Sequence, residues 1–217
     1  MQMSSSADVN SREIAIALID TKKAKNIQQL LFATPTDAYP EDVSSDGKWL
    51  LYQEALPNNG ESATLKAMPL NGGMKPLLVA ERIDFGSNAV LMPGANSWVA
   101  YQSSESGQTE VYLTGFPNAG ASYEMSPAGG TQPVWSRDGK QLYYLDLTQK
   151  LTVVDIRRDQ DTVQVGSPRT MFQTSVMSSL AGPGYGVTQG GHFLLLNWAF
   201  ETATPLTLDM NWDSALK

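Results

Sequence analysis

The feature that most constrains this chain is an internal repeat. Three segments can be laid over one another. They are Ser45-Asp46-Gly47-Lys48-Trp49-Leu50-Leu51-Tyr52, then Pro93-Gly94-Ala95-Asn96-Ser97-Trp98-Val99-Ala100-Tyr101 with one extra residue in its turn, then Arg137-Asp138-Gly139-Lys140-Gln141-Leu142-Tyr143-Tyr144. A fourth, Gln189-Gly190-Gly191-His192-Phe193-Leu194-Leu195-Leu196, fits the same frame more loosely. Their last residues, Tyr52, Tyr101, Tyr144 and Leu196, lie 49, 43 and 52 residues apart. A period of about 40 to 50 residues belongs to β-propeller blades or to helical arrays, and local chemistry separates the two. Asp46-Gly47 and Asp138-Gly139 are dipeptides favoured in type I′ hairpin turns, where both central residues take positive φ. After the turns, WLLYQ, WVAYQ, QLYYLD and FLLLNW are rich in residues that suit a pleated, half-buried surface. A second hairpin follows in each unit: ATLKAMPL with KPLLVA, TEVYLTGF with SYEMSP, LTVVDIR with RTMFQ, and finally PLTLDMNW. No longer window carries the apolar stripe of an amphipathic helix. The expectation is an all-β chain, a β-propeller of four-stranded blades.

Four full units and a partial one are expected. A tail covers residues 1–13 and the propeller 14–217, with a partial blade at 14–37 and blades near 40–83, 84–130, 131–175 and 183–217. The stretches IAIALID and IQQLLFA, within 14–36, read as the outer half of a blade without its inner half. Known propellers close with about 4 to 8 blades. This ring is therefore expected to close by pairing its N- and C-terminal strands or by forming a homodimer, because open blade edges invite association, unless the chain is the C-terminal part of a longer propeller.

The pieces DVSSDGKWLLYQ, WVAYQSSESGQTEVYLTGFPNAG, GGTQPVWSRDGKQLYYL, YGVTQGGHFLLLNW and LTLDMNW resemble the TolB-like, WD40-like propeller repeats of bacteria. Most of all they resemble the C-terminal propeller that follows the kinase domain in many bacterial serine/threonine kinases. The likeness runs over residues 14–217. It departs at Pro93-Gly94-Ala95-Asn96 and Gln189-Gly190-Gly191-His192, where the family has Asp-Gly, which suggests altered geometry at those two turns. The kinase motifs are not in this sequence: it has neither a Gly-rich loop after a strand, nor an HRD-type loop, nor Asp-Phe-Gly. The resemblance implies a propeller that binds rather than phosphorylates.

Composition removes several function classes. Apolar residues make up 41% of the 217, enough for a core, yet no apolar run approaches the ~18 residues of a membrane-spanning helix. With Lys+Arg 15 against Asp+Glu 22, the net charge of −7 is a poor footing for nucleic acid, and no membrane partner is expected either. The chain has no cysteine, which rules out disulfides, thiolate metal sites and cysteine nucleophiles. The start, MQMSSSADVN, shows no signal-peptide pattern, so a cytoplasmic or periplasmic location is expected. His192, the one histidine, sits at a hairpin turn in the slot of Lys48 and Lys140, and reads as an exposed turn residue rather than a base. Asn71-Gly72-Gly73, Ala128-Gly129-Gly130 and Gly182-Pro183-Gly184 fall between strands and read as turns, not phosphate loops.

Propeller sites collect where each blade's first strand and the loop leading into it meet the channel. Here those strands are near Glu41–Ser44, Asn88–Met92, Gln132–Ser136 and Tyr185–Thr188. Glu41, Asp42, Asp84 and Asn88 are candidate oxygen ligands for a hard cation such as Ca²⁺, with Gln132 and Tyr185 as channel-lining groups. Two readings follow. One is a binding or interaction module whose channel face takes a small molecule or a protein. The other is a Ca²⁺-dependent hydrolase of a small lactone or ester, acyl-homoserine lactones included, in which the metal polarises the carbonyl. Trp49, Tyr52, Trp98, Tyr101, Tyr143 and Tyr144 recur at the repeat spacing and read as blade-packing core.

Overall fold

Each of the first three repeats folds into an antiparallel sheet whose strands follow one another in space as in sequence. The computed structural model describes residues 14–19, 28–34, 36–56, 59–71, 75–84, 86–94, 97–118, 120, 122–159, 162–176 and 182–196. The tail at 1–13 and the end of the fourth expected unit, 197–217, lie outside them. A first hairpin pairs β1 (Ile14–Ile19) with β2 (Gln28–Thr34). The first sheet runs β3 (Ala38–Val43), β4 (Trp49–Leu56), β5 (Asn59–Pro69) and β6 (Leu77–Asp84). The second runs β7 (Val90–Leu91), β8 (Trp98–Ser103), β9 (Glu110–Gly115) and β10 (Ser122–Glu124). The third has β11 (Thr131–Trp135), β12 (Gln141–Leu145) and the long β13 (Lys150–Asp159). One half of β13 pairs with β15 (Arg169–Gln173) and the other with β14 (Thr162–Val165). A last hairpin joins β16 (Tyr185–Val187) to β17 (Phe193–Leu195). Among the described residues there is no helix.

The hairpin turns after the first strands differ from the expected type. At Asp46-Gly47 and Asp138-Gly139 only the glycine has positive φ, +69° and +68°. The turns are wider than type I′. The Gly47 N–H donates to the Ser44 carbonyl (2.8 Å), and the Ser44 N–H donates to the Trp49 carbonyl (2.9 Å). Asp46 Oδ1 accepts from Ser44 Oγ (2.7 Å) and from the Lys48 N–H (3.1 Å), while Ser44 Oγ accepts from the Trp49 N–H (2.9 Å). Ser136, Asp138, Lys140 and Gln141 reproduce these bonds in the third sheet. The aspartate thus serves by binding local backbone and hydroxyl groups, not by tolerating positive φ. The working motif is Ser-x-Asp-Gly-Lys.

The fourth turn closes one residue sooner. The Thr188 N–H donates to the His192 carbonyl (2.9 Å), and Thr188 Oγ1 accepts from the His192 N–H (3.0 Å). Strand pairing fixes the consequence. Val43, Leu91, Trp135 and Val187 pair with Leu50, Val99, Leu142 and Phe193 respectively. Leu194 therefore takes the place of Leu51, Ala100 and Tyr143, one residue away from the alignment read in the sequence. A slip of one residue sends every side chain to the opposite face.

The sheets stack face to face. Leu51, Leu65 and Ile83 of the first pack with Leu91, Val99 and Tyr101 of the second. Trp98 and Leu113 of the second meet Trp135, Leu142 and Tyr144 of the third. Tyr143, Leu145 and Leu151 then meet Tyr185, Phe193 and Leu195 of the last hairpin. The repeated aromatics are core: Tyr52, Trp98, Tyr101, Tyr143 and Tyr144 are buried, and half-buried Trp49 meets Phe116 edge-on at 5.3 Å. First strands adjoin first strands, β3 beside β7, β7 beside β11, and β11 beside β16. That row of strands carries the site.

Candidate functional site

A register shift between Pro40 and Asp42 takes Glu41 out of the ladder and directs it at the next sheet. Glu41 Oε1 accepts from Ser87 Oγ and Oε2 from the Ala89 N–H, both at 3.2 Å. Asp42 does likewise: Oδ2 accepts from the Leu91 N–H (2.8 Å) and Oδ1 from its neighbour's Val43 N–H (2.7 Å). Burial pushes the Glu41 carboxyl up to about 7, against the pull of its two hydrogen bonds and with some help from the Asp42 charge. Burial also raises Asp42, opposed by the Leu91 and Val43 amides.

Beside the carboxylates runs a chain of amide side chains. Gln53 Oε1 accepts from the Gly86 N–H (2.9 Å), across the boundary between the first and second units. The Gly86 carbonyl accepts from Asn88 Nδ2 (3.0 Å) and Gln102 Nε2 (3.1 Å). Gln102 Oε1 accepts from the Gln132 N–H (2.8 Å), which enters the third unit. Gln132 Oε1 accepts from the Gly184 N–H (2.7 Å), and the Gln132 carbonyl from the Tyr185 hydroxyl (2.8 Å). Asn88 and Gln132 hold the same place in their units and both have positive φ, 47° and 55°. That is uncommon for residues other than glycine and needs such a surrounding network to hold it.

Five of the six expected site residues therefore lie along the row of first strands or at their entries, while Asp84 ends β6, the far strand of the first sheet. Glu41 and Asp42 hold the backbone of β7 and its entry, Asp84 accepts from Ser104 Oγ, and Asn88 donates to Gly86 and Gln102. Among the described residues, no group of three or more His, Asp or Glu side chains could hold a metal ion. Gln132 and Tyr185, expected to line the channel, are buried between units and join them. His192 is exposed at its turn. Gln53 and Gln102 were not singled out in the sequence. Their signal was the glutamine that follows tyrosine in both WLLYQ and WVAYQ. With the donors committed elsewhere, melting curves in calcium and in EDTA are expected to coincide. A cation site filled at a hundredfold excess over its dissociation constant would instead add about 2.7 kcal/mol.

A second feature lies at the last hairpin. An apolar groove of about 460 Å³ runs over Pro183, Gly184, Tyr185, Gly186 and Leu194–Leu196. Leu194 is 76% exposed and Leu196 is 56% exposed. The counterparts of Leu194 by strand pairing are covered by the next unit, Leu51 and Ala100 at 0% and Tyr143 at 5%, and that of Leu196 in the third unit, Leu145, is at 0%.

Stacked antiparallel sheets that adjoin along their first strands define a β-propeller class of fold, and solved structures place it nearer to TolB. No family model and no curated protein matches the sequence. TolB from Acinetobacter baumannii is similar over 82% of this chain and 44% of its own, at 18% identity and a TM-score of 0.53. A protein assigned as TolB from Agrobacterium tumefaciens covers 76% and 55%, at 20% identity and a TM-score of 0.50. A functionally unknown protein from Desulfotomaculum acetoxidans covers 83% and 56%, at 12% identity and a TM-score of 0.52. The fold is TolB-like. The chain spans about half the length of these structures. The kinase-attached part of the resemblance rests on the sequence motifs alone.

Proposed function

We propose that the chain is a protein-interaction module that works as a propeller completed by a second copy of itself, with further protein bound at the channel side. The uncovered apolar face of β16–β17 carries this reading. In three successive units the position of Leu194 is sealed by a neighbouring sheet, so the exposed Leu194, with Leu196 beside it, presents a surface shaped for β-sheet packing. An apolar patch left open on a folded protein marks an association site. A two-fold axis along the channel sets the β16–β17 face of each copy against the first unit of the other, so that two equivalent contacts close the ring. The channel side, along β3, β7, β11 and β16, then gains its full set of strands in the pair.

Light scattering on the full chain tests this. Wild type is expected at twice the 23.6 kDa protomer mass at high concentration, and the Leu194→Asp/Leu196→Asp variant at one protomer mass. Wild type at one protomer mass at every concentration would remove the reading.

A further inference from the structure

We propose that the cleft between the turn of the third unit and the turn of the last hairpin binds a small carboxylate with an apolar group beside it, held by Arg137. The cleft has a volume of about 420 Å³. It is bounded by Arg137, Gln141 and Tyr143 on one side and by Val187, Thr188 and Gln189 on the other. Its size falls within the range of ligand sites, about 300–1,000 Å³. It forms within one copy of the chain, so it does not rest on pairing.

At the other boundaries between units the turns meet. At the first, the Gly94 N–H donates to Ser45 Oγ (3.3 Å). At the second, a Cβ on Gly139 would stand 3.2 Å from the Pro93 carbonyl oxygen and from Met92 Cγ. Gly191 is the corresponding glycine of the last turn: its N–H donates to the Thr188 carbonyl as that of Gly139 does to Ser136, and its φ is +76° against +68°. A Cβ on Gly191 would meet nothing within 4 Å. The turn that closes one residue sooner, at His192, stops short of its neighbour and leaves the cleft.

The charged group left over in this cleft is a donor. Asp138 is committed to its own turn: Oδ1 accepts from Ser136 Oγ (2.8 Å) and the Lys140 N–H (3.1 Å), and Oδ2 faces Lys140 Nζ at 3.8 Å. Arg137 is exposed and has no ion-pair partner among the described residues. Its planar guanidinium matches the two oxygens of a carboxylate. Neutral donors surround it. Gln141 accepts from the Tyr143 hydroxyl (2.6 Å) and spends one Nε2 hydrogen on Asp155 Oδ1 (2.8 Å), which leaves the second to give. Thr188 Oγ1 accepts from the His192 N–H (3.0 Å) and keeps its own proton to donate. One cation with Asp138 beside it balances a single negative charge, which suits a carboxylate better than a doubly charged phosphate. Val187 and the Tyr143 ring form the apolar wall for the group beside the carboxylate.

Two sources offer this chemistry, the C-terminal end of a peptide and a free organic acid. The experiment follows the Gln189 and Gly191 amide signals by NMR as the full chain is titrated with three probes. These are N-acetylleucine, N-acetylleucinamide, and an acetylated tripeptide ending in leucine with a free carboxylate. N-acetylleucine is expected to bind with a dissociation constant on the order of 1 mM, and its amide about tenfold more weakly or worse. Arg137→Gln is expected to weaken the acid about tenfold, and Arg137→Lys, which keeps the charge without the paired contact, by less. The tripeptide binding more tightly than N-acetylleucine assigns the cleft to peptide ends, and equal or weaker binding assigns it to free acids. Equal binding of acid and amide, no shift of either signal, or unchanged binding in Arg137→Gln would overturn the proposal.

Discussion

Replacing Gln102 by leucine is expected to lower the stability of the chain by about 2–3 kcal/mol, read by urea unfolding with an unchanged m-value. Gln102 joins the second unit to the third and ties in the loop that Gln53 of the first unit holds at Gly86. Its Nε2 donates to the Gly86 carbonyl, and its Oε1 accepts from Asn88 Nδ2 and the Gln132 N–H. Leucine keeps the volume and removes every one of these bonds. Gly86 retains the Asn88 donor, but the Gln132 N–H loses its acceptor in a residue only 3% exposed. A buried donor without a partner costs about 1–3 kcal/mol. Gln132 also loses one of the contacts holding its backbone at φ 55°, a conformation that needs outside support. Gln53→Leu strips only the Gly86 N–H of its acceptor and is expected to cost about half as much. The double variant is expected to depart from additivity, since both glutamines act on Gly86. A loss under about 0.5 kcal/mol for Gln102→Leu, the range of ordinary surface substitutions, would show that the amide chain is incidental.

Much of the fold was legible in the sequence, and the reasons are local. A recurring turn followed by an aromatic-rich run marks the first two strands of a unit wherever it occurs, and of the aromatics at that spacing Trp98, Tyr101, Tyr143 and Tyr144 do form the inter-sheet core, while Tyr52 packs within the first sheet. What the residues did not reveal was set by hydrogen-bond closure. Thr188 replaces the serine of Ser-x-Asp-Gly-Lys and its turn closes at His192, so the alignment of Gln189–Leu196 slips by one and Leu194 changes faces. No pattern of apolar residues in Phe193-Leu194-Leu195-Leu196 could show that slip, because all four are apolar. For the same reason the exposed face was invisible before the strand pairing was known.

The site was legible as a place but not as a chemistry. Glu41, Asp42, Asn88, Gln132 and Tyr185 do lie along the row of first strands. Their spacing suggested ligands because carboxylates entering from separate segments are what a cation needs. Their partners turned out to be backbone amides and hydroxyls of the next unit, and such partners follow from the stacking of sheets, not from composition.

The central claim, that the face of β16–β17 is covered by a second copy, is tested most directly by the reactivity of a thiol placed on it. The chain has no cysteine, so Leu194→Cys carries the single thiol, and cysteine is small and apolar enough to leave the face suited to packing. Only the dissociated fraction exposes residue 194, so its rate with a maleimide follows mass action. The rate is expected to fall on the order of tenfold as protein concentration rises through the dissociation constant. Ser106→Cys, at an exposed turn between β8 and β9, serves as the control whose rate stays constant. A rate at residue 194 that stays constant with concentration and equal to that of the control would contradict the account.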